Sequence, residues 1–143
     1  MNKSDQSLKN ICIASIKRTT IPPFDFSYAR IHEFEDTIDN EKINVELNLE
    51  SEERLVCSTI ISDKIWTILT TRRIVSFEGV GIQQHLIKNI KEWDFGDFKG
   101  YSEQSYTKGF LHFADGKIVP FFIETGRASM VMIYGIRTLS GLC

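Results

Sequence analysis

Residues 65–79 read I-W-T-I-L-T-T-R-R-I-V-S-F-E-G, and this stretch decides the fold. Ile65 to Thr70 and Ile74 to Phe77 are short runs rich in Ile, Val, Trp and Thr, parted by Thr71-Arg72-Arg73. β-branched and aromatic residues fit a pleated, half-buried surface, so the two runs predict a pair of strands joined by a tight bend. Glu78-Gly79-Val80-Gly81 closes the second run with glycines able to take positive φ.

The same rhythm continues toward the C-terminus. Gln83 to Lys88 and Ile90 to Phe95 predict two further strands with a break near Asn89. Gly96 to Lys108 is a polar loop. Gly109 to Ala114, Asp115-Gly116, and Lys117 to Ile123 form a predicted hairpin, because Asp-Gly suits a type I′ turn. Pro120 cannot donate to a ladder, which puts its strand at an edge or a bulge. From Gly126 to Leu142 the period changes: Met130, Ile133, Tyr134, Ile136, Arg137 and Leu139 fall at three- and four-residue steps, predicting a closing helix.

Toward the N-terminus, Arg54 to Ile61 predicts another strand. Ile43, Val45, Leu47 and Leu49 alternate with Asn44, Glu46 and Asn48, which predicts an edge strand with one wet, acidic face. Phe24, Tyr28, Ile31, Phe34 and Ile38 predict a short helix after Pro22-Pro23. Ser4 to Arg18 predicts an amphipathic helix with Leu8, Ile11, Cys12 and Ile16 on its apolar stripe. The expected organisation is a helical extension over 1–41, packed in cis or swapped, and a β domain over 42–143.

A chain of 143 residues can bury roughly two-thirds of its unfolded surface and needs no metal or disulfide staple. Cys12, Cys57 and Cys143 are widely spaced and odd in number, which reads as reduced thiols in a cytoplasmic protein. The first ten residues carry no apolar leader segment, and no run is long enough to span a bilayer. The net charge of −2 argues against general nucleic-acid binding. That charge is uneven: nine acids and one lysine between Glu33 and Glu53 give −8, leaving +6 elsewhere.

Glu53-Arg54-Leu55-Val56, Trp66 to Val75, Ile87-Lys88-Asn89-Ile90 and Phe113 to Lys117, followed by the closing helix, carry a resemblance. Over about residues 53–142 the chain resembles bacterial PH-like and GRAM-like domains. An acidic residue opens the first strand and an L-T-x-x-R turn joins the next two. The resemblance implies an α+β, mainly β fold: a PH-like barrel of about seven antiparallel strands, closed by a C-terminal helix and preceded by a helical extension. It also implies a non-catalytic module that binds a protein, a peptide or a phosphoinositide headgroup.

The chemistry points the same way. The three histidines lack zinc spacing, Gly79-x-Gly81 lacks the rest of a phosphate loop, and no nucleophile motif occurs. No enzyme activity, cofactor or metal is expected. The expected ligand is a protein partner. The alternative is an immunity protein that neutralises a basic toxin domain, such as a nuclease, through Glu33, Glu35, Asp36, Asp39, Glu46 and Glu50. Phosphoinositide or membrane-surface binding would need Lys64, Arg72 and Arg73 as an anion site.

Overall fold

A computed structural model describes residues 3–142. Helix α1 (Asp5–Thr19) comes first, then strand β1 (Ala29–Ile31) and helix α2 (Glu41–Leu47). Strands β2 (Leu55–Ser62), β3 (Ile65–Thr70), β4 (Arg73–Phe77) and β5 (Ile82–Leu86) follow as hairpin-linked neighbours. A 3-10 turn at Ile87–Asn89 leads to β6 (Ile90–Asp94), β7 (Tyr106–Phe113) and β8 (Ile118–Glu124), and helix α3 (Ser129–Leu142) closes the chain.

The α+β, mainly antiparallel character holds. The strands number eight, however, and lie in two sheets that do not close into a barrel: β1-β2-β3-β4-β5 and β6-β7-β8. The sheets share an apolar core, and single hydrogen bonds tie them where no ladder does. The Phe122 N–H donates to Thr67 Oγ1 (2.8 Å). The Glu124 carboxylate accepts from the N–H groups of Ser27, Tyr28 and Ala29 (3.2, 2.5 and 2.8 Å), fastening the end of β8 to the rim of β1. Pro120 sits on β8, an edge strand, in unbroken register opposite Phe110.

Two apolar clusters lie on opposite faces of the five-stranded sheet. The larger joins α1 (Cys12, Ile13, Ile16), α3 (Val131, Met132, Ile136, Leu139) and the inner residues of both sheets. The smaller gathers Ile38, Ile43 and Leu47 over Leu55, Trp66, Ile68 and Val75. Gly135 lets α3 lie close on the sheet, for a Cβ there would stand 2.8 Å from Leu69 Cδ2. Cys12 and Cys57 are buried beside α3, and burial pushes the Cys57 thiol pKa well up. Cys143 lies outside the described residues.

Three expectations are corrected. Residues 43–49 do not form a strand; they belong to α2 and its C-terminal exit. Residues 24–37 do not form a helix; they carry β1, which pairs with β2 from Ala29↔Thr59 to Ile31↔Cys57. In α1, Ile13 takes the buried place expected of Ile11, which is 37% exposed. The helix itself starts as expected, with Ser4 Oγ accepting the Ser7 N–H (3.1 Å).

Candidate protein-docking site

Helix α2 owes its existence to its ends and to two residues. Asn40 Oδ1 caps it by accepting the Ile43 N–H (3.2 Å), and Asn48 ends it in the left-handed region at φ 44°. Ile43 and Leu47, one turn apart, are both buried against the sheet. Val45 points the other way and is 71% exposed.

Between α2 and the β4–β5 turn the sheet is left uncovered. The gap is a slot of about 240 Å³ with an apolar floor of Ile43, Trp66, Phe77 and Ile82. Lys42, Glu46, Asp63 and Val80 form its rim. The Trp66 and Phe77 rings lie 5.7 Å apart. Val80, between two glycines in the turn, is 99% exposed. Asn40 Nδ2 donates to Asp63 Oδ1 (2.8 Å), which links the α2 cap to the β2–β3 turn.

The acidic segment divides into two populations. Asp36 accepts from Lys9 (3.2 Å), Arg54 (2.9 Å) and the Leu55 N–H (2.8 Å). Burial raises its pKa, but these donors outweigh burial and hold the carboxyl below its usual value. Glu33 pairs with Lys17, and Glu50 with Arg72 (3.0 Å). Glu35 lies 3.5 Å from His32 Nδ1. Asp39, Glu41, Glu46 and Glu52 are exposed and make no ion pair among the described residues. Of the six acids expected at a docking surface, Asp39 and Glu46 are therefore the two without an ion pair among the described residues.

The two arginines expected at an anion site are engaged within the fold. Arg72 grips Asp5 through Nε (3.1 Å) and Nη2 (3.0 Å). Arg73 meets Glu53 (2.9 Å) and donates to the carbonyls of Leu47 (2.6 Å) and Asn48 (3.1 Å) at the C-terminal end of α2. A cation there suits the helix dipole and pins α2 over the slot. Lys64 is exposed in the β2–β3 turn, at the opposite end of β3 from both arginines.

Val80, Trp66 and Phe77 escaped the sequence reading as site residues. The readable signal was Val80, since a valine alone between glycines in a turn has no core to reach. A second cavity holds Ser58 Oγ 2.8 Å from His32 Nε2, with Glu35 beyond. Burial lowers the His32 pKa, although Glu35 draws it up. Ser58 is itself fully buried. Among the described residues no three His, Cys, Asp or Glu side chains cluster as metal ligands. No described helix is long and apolar enough to cross a membrane.

Compared with protein-family models, with curated proteins and with solved structures, the chain finds no match.

Proposed function

We propose that this chain is a non-catalytic module of PH-like strand order that binds a protein on the slot beside α2. Support for the PH-like reading lies in element order: the meander β2 to β5, the three-stranded β6 to β8, then α3. In that reading β1, α1 and α2 are additions, and α2 builds the slot. The observation that carries the binding reading is the apolar slot itself, flanked by exposed Val80 and bordered by Glu46, which makes no ion pair among the described residues. Buried apolar anchors inside a polar rim are what a protein interface needs.

The partner this surface fits carries an apolar side chain beside Lys or Arg. Asp39 and Glu46 favour, as a second reading, an antidote that covers a basic toxin domain by fast, salt-sensitive association. Lipid headgroup binding has less to work with, because Arg72 and Arg73 are spent on Asp5 and Glu53.

The test is retention of the native partner by the full chain at low and high salt. Val80→Asp is expected to lose the partner at both salts. The charge reversal Glu46→Lys is expected to weaken binding mainly at low salt. Retention by both variants would show that the partner binds elsewhere.

A further inference from the structure

Four strand edges end the two sheets, and three of them are guarded. The outward N–H of Ala29 in β1 is taken by Glu124 (2.8 Å) and its carbonyl by Arg30 Nη1 (2.8 Å). The edge of β8 carries Pro120 and lies against Thr67 of β3. The edge of β6 carries Lys91, Glu92 and Asp94, charges that discourage strand addition.

The fourth edge, β5, reads I-Q-Q-H-L: no charge, no proline and no bulge in its register with β4. The Ile87 N–H bonds the Arg72 carbonyl (2.9 Å). Antiparallel alternation then turns the backbone of Gln83 and His85 toward β4 and that of Ile82, Gln84 and Leu86 away from it. Of these outward groups the Gln84 carbonyl is met by its neighbour His85 Nδ1, and the Gln84 N–H is left outward. Hollows of about 720 and 350 Å³ lie beside the strand, toward the β7–β8 hairpin. Leu86 is 44% exposed, and Ile118 across the gap 53%.

The sequence of this edge is complementary to itself. Laid antiparallel about Gln84, two copies set Ile82 against Leu86, Gln83 against His85 and Gln84 against Gln84. Apolar then meets apolar, amide meets amide or imidazole, and no like charges face each other. The His85 ring packs edge-on against Phe113 of its own chain, 4.5 Å between centroids, with Nε2 buried. A twofold interface requires this kind of self-matching patch.

We propose that β5 is a dimerisation edge, at which two copies of this chain pair their β5 strands about a twofold axis at Gln84. The five-stranded sheets then run on as one across the interface.

Sedimentation of the full chain over a wide concentration range tests this. The mass is expected to rise from 16.5 kDa toward twice that value. Gln84→Pro removes an N–H that points away from β4 and an exposed amide that accepts from Arg73 Nη1. It breaks no bond of the β4–β5 ladder, so it is expected to keep the native circular dichroism spectrum and to stay monomeric. In a Cys143→Ser background, mild oxidation of Gln84→Cys is expected to give a covalent dimer. Ser102→Cys, on the distant loop, is expected to give none. A chain that stays monomeric throughout, or a dimer that Gln84→Pro leaves intact, overturns the proposal. Should Gln84→Pro fail to fold, the absence of a Gln84→Cys dimer overturns it.

Discussion

Asp5, Asp36 and Glu53 are three carboxylates that hold the first third of the chain to the sheet. For each, burial raises the pKa, while arginine, lysine, threonine or backbone donors lower it further, and the net shift is downward. A group with a depressed folded pKa stabilises the fold above its unfolded value, near about 4, and loses that contribution as pH falls through the folded value. Thermal unfolding followed from neutral pH downward should therefore show stability falling below about pH 4. Asp36→Asn should start lower at neutral pH and decline less. Parallel curves for the two proteins would mean that Asp36 contributes nothing through its charge. These partners were hidden in the sequence because they are distant in the chain: Arg72 meets Asp5 and Arg73 meets Glu53. An arginine pair in a hairpin turn reads the same whether it awaits a phosphate or closes an ion pair.

Helix α2 shows where the sequence pattern misled. Ile43, Val45, Leu47 and Leu49 satisfy an alternating pattern, but Ile43 and Leu47 alone also satisfy a helical one, and Val45 is wasted on a wet face. The deciding signals were local: Asn40 as cap and Asn48 able to enter the left-handed region. Asn40→Ala should cost about 1 kcal/mol in chemical denaturation. Because Asn40 also holds Asp63 at the rim, the same substitution should weaken the partner more than its stability loss explains. An unchanged affinity would separate the helix cap from the docking surface. By contrast, β2 to β6, β8 and α3 were legible, and β7 from Gly109 onward, since their apolar runs and Gly-marked turns agree with their tertiary surroundings. The start of β7, Tyr106 to Lys108, read as loop because it is polar. The short β1 was not, because three residues carry too little period to read.

Taken whole, the molecule uses its N-terminal third as part of its architecture. Helix α1 supplies one side of the main core, β1 extends the sheet, and α2 covers its outer face. The −8 segment becomes intelligible only on this frame. Part of its charge is spent fastening the segment down, and Asp39, Glu41, Glu46 and Glu52 remain outside. The sequence showed the charge but could not sort it, because sorting depends on which basic residues the fold brings near. It also could not show the slot, which is a gap between elements far apart in the chain. Site-specific photo-crosslinking in the native cell tests the docking surface most directly, with the reactive side chain placed at Val80 and, separately, at Lys99 on the loop before β7. The account predicts one protein adduct at position 80, diminished by Glu46→Lys, and none at position 99. Adducts at position 99 with none at position 80 would contradict it.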